Sequence, residues 1–196
     1  MRKATKEDIS LVIDIISESL NKNPGVNWIL KKDINKKFAL KRLATYAFIK
    51  AYRRNGIYIS SNEKGVALCY HAGHKKASLQ EFWYRLYFAL TSIKISHIPA
   101  VIKREAYRKS KRPVSGNYLF FWFFGVKKGG GNAGFELKDG ILKEARRLNL
   151  PIYLETAIER NKRIYERYGF TTYYYWKEKR SDIRYWFMKW EVKSNI

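Results

Sequence analysis

An α/β mixture built around one sheet is the fold class that this 196-residue sequence predicts. Three observations carry that reading. Short apolar runs rich in β-branched and aromatic residues alternate with segments whose apolar residues recur at helical spacing. The longest near-continuous apolar stretch, Tyr118 to Val126, has nine residues: too few to cross a bilayer as a helix, but suited to a strand buried on both faces. No internal repeat and no linker divides the chain, and its length suits one domain with a sizeable core better than two.

Arg2-Lys3-Ala4 reads as a short first strand. Thr5 then caps a helix with Asp8 three residues on, and Ile9, Val12, Ile13, Ile16 and Leu20 follow at helical spacing until Asn23-Pro24-Gly25 ends the element. Asn35 starts a second helix that holds Phe38, Leu40, Leu43, Ala47, Phe48 and Ala51 and closes at Asn55-Gly56. Ile57 to Ser60 and Val66 to His71 read as antiparallel strands joined by Ser61-Asn62-Glu63-Lys64-Gly65. Two helical segments follow, Leu79 to Ile93 and Ile98 to Lys109, and then the long apolar strand. A Gly-rich turn from Lys127 to Gly134 leads into a helix with Leu137, Ile141, Leu142 and Ala145 on one face. Pro151 to Glu155 is a strand, Asn161 to Tyr168 a short helix closed by Gly169, and Phe170 to Trp176 with Tyr185 to Val192 a final hairpin.

Composition narrows the function classes. Lys and Arg number 40 against 17 Asp and Glu, a formal charge of +23, which attracts nucleic acid, acidic lipid or phosphorylated small molecules without choosing among them. Aromatic residues make up 16% of the chain, too many for a disordered basic tail. The single Cys69 excludes an intramolecular disulfide and any Cys-cluster metal site. The N-terminus turns polar and acidic where a signal peptide would begin its apolar run, so a soluble, cytoplasmic protein is expected. Between Lys22 and Arg54 ten basic residues stand against one acidic residue, Asp33, which reads as a solvated helix face.

Apolar strand, Gly-rich turn and amphipathic helix together place backbone N–H groups and a positive helix end where an anion can dock. Gly129-Gly130-Gly131-Asn132-Ala133-Gly134 has no side chain larger than Asn, so a phosphate could approach the main chain closely; a plain flexible turn has the same composition. The turn lacks the Gly-Lys-Ser/Thr of a Walker loop and does not fit the dinucleotide fingerprint. The next segment reads Leu150-Pro151-Ile152-Tyr153-Leu154-Glu155-Thr156, followed by Asn161-x-x-x-Tyr165-x-x-x-Gly169-Phe170. Here the chain resembles the GNAT family of N-acetyltransferases, whose C-terminal pattern these residues follow. The Gly-rich turn stands where that family keeps its pyrophosphate loop, and the opening Arg-Lys-Ala-Thr-x-x-Asp resembles its first strand and helix. The family loop usually reads Gln/Arg-x-x-Gly-x-Gly/Ala; one register places Gly129 and Asn132 at the Gln/Arg and middle-glycine positions, and the other reads Lys128-x-x-Gly131-x-Ala133.

The resemblance implies an acyl-CoA N-acyltransferase fold, with a single mixed, mostly antiparallel sheet flanked by helices. It implies one domain over residues 1–196 with a helical insertion at about 79–112. Acetyl-coenzyme A would lie in the cleft where the long strand splays from its neighbour. Main-chain groups at Phe124, Gly125 and Val126 would meet the pantetheine arm, the N–H groups of Gly129 to Gly134 the pyrophosphate, and Asn161 the arm again. Tyr165, four residues from Asn161 and so on the same helix face, would be the general acid for the departing thiolate; ordinary core packing is the bland alternative for this tyrosine. No metal is implied: His71 next to His74 is a metal pair on paper only. The long strand contains no carboxylate, so the general base falls to Glu155, His71 or a water chain.

The insertion is similar to that of the puromycin-acetyltransferase-like branch, where such helices wall the acceptor site. Its aromatics Phe82, Trp83, Tyr84, Tyr87 and Phe88 read as core rather than a substrate box. A small-molecule amine is the expected partner, and the positive charge favours one that carries a carboxylate or phosphate. The rival readings are a nucleic-acid-associated protein, using Lys103 to Arg112 and Lys31 to Lys37 on phosphates, and a catalytically silent relative that binds coenzyme A. The oligomeric state stays open, a homodimer included.

Overall fold

A computed structural model describes residues 1–32, 34–73 and 77–192. Asp33 and His74 therefore lie outside the described residues. The elements in chain order are β1 (Arg2–Lys3), α1 (Ile9–Leu20), α2 (Pro24–Ile29), α3 (Lys36–Tyr52), β2 (Ile57–Ile59), β3 (Gly65–His71), α4 (Leu79–Ser92), a 3-10 turn (Ile95–His97), α5 (Ile98–Ser110), β4 (Leu119–Val126), α6 (Ala133–Leu148), β5 (Ile152–Thr156), α7 (Glu159–Arg167), β6 (Thr171–Lys177) and β7 (Arg184–Trp190). The strands form a seven-stranded sheet in the order β1-β2-β3-β4-β5-β7-β6. Every neighbouring pair is antiparallel except β4 with β5. The fold class is the mixed, mostly antiparallel sheet flanked by helices that the sequence implies.

Two apolar layers sandwich the sheet. On one face α1 and α3 bury Val12, Ile16, Leu43 and Phe48 against Leu68, Tyr70 and Phe120. On the other, α6 buries Leu137, Ile141 and Ala145 against Leu119, Phe121 and Leu154. Burying a large apolar side chain stabilises a fold by about 1.5–3 kcal/mol, so these stripes fix the positions of the helices. Helix α7 ends as its sequence predicts: Gly169 adopts φ +86°, and the Phe170 N–H donates back to the Tyr165 carbonyl. No helix among the described residues is long and apolar enough to cross a membrane.

Four local expectations need correction. Thr5 does not cap α1; the Asp8 carboxylate instead accepts from the Thr5 N–H at 2.8 Å and from the Arg2 guanidinium, and α1 begins at Ile9. Asn23-Pro24-Gly25 starts a helix as well as ending one. The Asn23 side chain accepts from the Val26 N–H and Pro24 opens α2, where its missing N–H costs nothing. The strand β4 is continuously buried over Leu119–Phe121, whereas Trp122–Phe124 are half-buried and Val126 is exposed, where β4 has lost its β5 neighbour. Of the α4 aromatics, Phe88 is core, whereas Phe82, Trp83 and Tyr87 are exposed. Helix α4 packs through the face that carries Glu81, Phe88 and Ser92, and the other rings point around it.

Candidate acyl-transfer site

The site begins with a fault in the sheet. The β4–β5 ladder holds at Leu119↔Ile152, Phe120↔Tyr153 and Phe121↔Leu154, then stops, although β4 runs on to Val126 and β5 to Thr156. On its other side β4 pairs with β3, where Leu68 faces Phe123 and Cys69 faces Phe121, leaving Trp122 as an extra residue. Such a bulge bends its strand and sharpens the local twist, which turns the end of β4 away from β5. Phe124, Gly125 and Val126 therefore lie on a strand segment with no β5 partner. Their main-chain groups on that side face the gap.

The glycine loop follows directly. Gly129 and Gly131 adopt φ +74° and +54°, and a Cβ on Gly130 would lie 2.4 Å from Val126 Cγ1. Three consecutive glycines thus meet three backbone demands. The β2–β3 turn pins the loop from behind: Asn62 Nδ2 donates to the Gly130 carbonyl at 3.0 Å and Lys64 Nζ to that of Gly129 at 3.4 Å. With the carbonyls engaged, the N–H groups of Gly129, Gly131, Asn132 and Gly134 make no hydrogen bond to any described residue. Asn132 stands at the N-cap of α6, and its side chain makes no capping bond there. Free main-chain amides next to the positive end of a helix are chemically able to take an anion. Ala133 is turned into the core beside Gly65, whereas a Cβ on Gly134 would rest in ordinary contact with Phe124 and Val126. Sequence pattern does not reveal the parts played by Asn62 and Lys64, since more than sixty residues separate them from the loop.

Tyr165 projects from α7 toward Phe121 and Phe124 at the edge of the gap, and Asn161 lies one helical turn before it. Tyr165 packs edge-on to Phe121 and Phe170, with ring centroids 6.1 and 5.6 Å apart, in a narrow crevice also lined by Phe124 and Tyr168. Its hydroxyl makes no hydrogen bond to a described residue, and burial pushes its pKa well above the ordinary tyrosine value, so the proton stays on. The Asn161 amide is likewise unengaged by the described residues. The structure brings Tyr165, Phe124 and Gly134 to one crevice and its rim, and places the rest of the loop along the same edge.

The three base candidates fare differently. The Glu155 side chain is 2% exposed and is held by Arg108 at 2.5 Å and Arg112 at 2.5 Å. It ties the end of α5 to β5, a structural duty that leaves its lone pairs occupied. His71 pairs with Leu119, at the end of β4 where the β5 ladder is still intact, and its Nε2 lies 3.3 Å from Asn117 Oδ1. His71 thus stands at the closed end of the gap, whereas Glu155 is the first β5 residue past the ladder and is set apart by its two arginines rather than by position. Cys69 is buried, its thiol pushed up to about 12 by burial, and has no part in the site. Among the described residues no cluster of three or more His, Cys, Asp or Glu could hold a metal.

The stretch Lys103–Arg112 is in part internal. Arg104 reaches the Gly25 carbonyl at 3.3 Å and Glu178 at 3.5 Å, and Arg108 and Arg112 hold Glu155. Three of its six basic side chains are thus spent on the fold rather than offered to a nucleic acid.

No protein-family model matches the sequence. A search of curated proteins likewise gives no match. Solved structures do match in shape. A histone acetyltransferase HPA2 and related acetyltransferase from Corynebacterium glutamicum superposes with a TM-score of 0.67 at 19% identity, covering 100% of this chain and 97% of its own. The C-terminal condensation domain of Ebony, in complex with beta-alanyl-dopamine, gives 0.66 at 14% identity over 97% of both chains. Arylalkylamine N-acetyltransferase 2 from Aedes aegypti gives 0.62 at 12% identity over 98% of both. At these identities the likeness is one of fold, and it is a fold shared with solved acetyltransferases.

Proposed function

We propose that the chain is an N-acetyltransferase of the GNAT family that moves an acetyl group from acetyl-coenzyme A to the amine of a small molecule. The observation that carries the reading is the gap between β4 and β5, bordered by the free amides of the glycine loop on one side and the unengaged Tyr165 hydroxyl on the other. Residues 1–196 are read as one transferase domain in which residues 79–112 are an insertion. The solved structures of like fold that are named as acetyltransferases support the reaction class.

Acetyl-coenzyme A would supply the acyl group as a thioester, whose carbonyl the acceptor amine attacks directly. The chain's own residues then divide the work. Gly129 to Gly134 offer main-chain N–H groups and the end of α6 to the diphosphate. The unpaired edge of Phe124, Gly125 and Val126 meets the amide-bearing arm and directs N–H dipoles at the reacting carbonyl. Asn161 hydrogen-bonds the same arm. Tyr165 holds a proton at Oη for the sulfur as it leaves; a phenol that burial keeps protonated suits that task across the neutral range. No carboxylate stands in β4, so the amine loses its proton to water.

The test follows thiol release from acetyl-coenzyme A across a panel of small amines, with the wild type and Tyr165→Phe. The reading predicts turnover on at least one amine and a drop of roughly 100-fold in kcat for the variant, with coenzyme affinity unchanged. Coenzyme binding without turnover on any amine would convert the chain to a silent coenzyme A binder, and unchanged kcat would remove Tyr165 from the mechanism.

A further inference from the structure

A cavity of about 450 Å³ lies on the α3 face of the sheet, opposite Tyr165 and the glycine loop. Its floor is aromatic, made by Tyr46, Tyr70 and Phe120, and its volume is within the range of small-ligand sites. Its walls are cationic: Lys50 and Arg54 come from α3, Arg85 from α4, Lys109 from α5, and Arg112 from just beyond α5.

The described carboxylates around the cavity are already committed. Glu81, which lines it, is held by Arg54 at 2.6 Å and Arg53 at 3.2 Å. Glu155 is held by Arg108 and Arg112, and Glu105 pairs with Arg108 at 3.2 Å. Lys50, Arg85 and Lys109 are left without an ion pair to any described carboxylate. Lys50 is the sharpest case. Its ammonium sits 4.4 Å from the Trp122 ring centre and 5.8 Å from that of Tyr70, and burial pulls its pKa down to about 8. Glu105 acts on this ammonium from a distance but makes no ion pair with it, being held by Arg108 instead. A lysine stem is long enough to reach solvent, yet this one is drawn in over the rings. A cavity that gathers such groups over aromatic rings suits an anion.

We propose that this cavity binds a small ligand in which a carboxylate or phosphate is carried on an aromatic or aliphatic body, with Lys50 and Arg85 holding the oxyanion and the Tyr46, Tyr70 and Phe120 rings the body. The ligand is either the anionic end of an acceptor amine or a separate effector, and the two share this chemistry. The binding site does not depend on the transferase reading; its identification with the acceptor does.

Calorimetry at pH 7 with phenyl phosphate, and with phenol as the uncharged control, tests the site on the wild type, Lys50→Met, Arg85→Met and Gly134→Glu. Phenyl phosphate is expected to bind at least tenfold more tightly than phenol. Each methionine variant loses that advantage, and Gly134→Glu keeps it. Lys50→Met keeps an unbranched stem of similar length against the Trp122 and Tyr70 rings, and Arg85 is exposed, so neither variant is a folding trap, which thermal melting checks. No binding by the wild type, unchanged binding in both methionine variants, or loss in Gly134→Glu would overturn the proposal; the last would place the anion at the glycine loop. A second arm compares acetylation of tyramine O-phosphate and tyramine. A kcat/KM preference for the phosphate ester that disappears in Lys50→Met identifies the ligand as the acceptor, whereas binding with the same residue dependence but no preference identifies it as an effector. If no amine is acetylated, the transferase reading fails while the binding arm still decides the site.

Discussion

Replacing Glu155 with glutamine separates the two roles a carboxylate could have at this place in the fold. Its side chain is 2% exposed, and it takes Arg108 at 2.5 Å and Arg112 at 2.5 Å, whose side chains are 21% and 12% exposed. Gln keeps the shape but removes the charge, leaving two arginines packed against a neutral amide. Breaking a buried ion pair from one side costs about 3–5 kcal/mol. The arginines keep some access to water, so the lower end, about 3 kcal/mol, applies here. In a domain of this size each kcal/mol moves the melting temperature by roughly 2–4 °C, which gives a fall of about 6–12 °C. The assay pairs thermal melting followed by circular dichroism with the pH–rate profile of the folded enzyme at 20 °C. A structural clamp predicts the fall in melting temperature and an unchanged pH profile. An unchanged melting temperature with kcat reduced about 100-fold and the acidic limb of the profile removed would refute the reasoning and make Glu155 the general base. Removing Arg108, Arg112 and Glu155 together for apolar residues should restore much of the lost stability, since the penalty arises from stranding the charges.

Two further outcomes follow from other contacts. Gly130→Ala puts a Cβ 2.4 Å from Val126 Cγ1 and 3.0 Å from the Lys127 carbonyl, so the loop must shift; acetyl-coenzyme A affinity should fall at least tenfold by calorimetry, while the melting temperature moves by only a few degrees. The Arg2 fork and the Thr5 N–H hold the Asp8 carboxyl down at about 2, below its ordinary 3.8. A carboxyl depressed by folding stabilises the protein above its unfolded value, and that contribution is lost as pH falls through about 2. After discounting for solvent screening it amounts to about 1 kcal/mol. Urea unfolding at pH 7 and pH 2.5 should therefore show Asp8→Asn less stable than the wild type at pH 7, with the difference shrinking at pH 2.5.

The C-terminal third is the part of this protein most legible in its sequence, because its signals are local. Gly169 closes α7 with a positive φ, and Asn161 and Tyr165 share a helix face by spacing alone. The Gly-rich run announces a close backbone approach, although not which carbonyls pin it, since Asn62 and Lys64 arrive from another hairpin. Asn23-Pro24-Gly25 misleads because the residues that stop one helix also start another. The α4 aromatics mislead because periodicity shows that a helix has an apolar side and not whether anything packs on it. The basic excess from Lys22 to Arg54 reads as a solvated face, yet Lys50 and Arg54 turn into a cavity whose walls come from α3, α4, α5, β3 and β4. Such a site, assembled from residues more than seventy positions apart, leaves no pattern in the chain.

The central claim, that the glycine loop and the β4–β5 gap hold acetyl-coenzyme A, is tested most directly by calorimetric titration in moderate salt of the wild type and Gly134→Glu. A Cβ at Gly134 meets only ordinary contacts with Phe124 and Val126, so the variant folds, while its carboxylate stands among the free loop amides where the diphosphate would rest. The account predicts micromolar binding to the wild type and its loss in the variant. No binding to the wild type, or equal binding to both proteins, would contradict it.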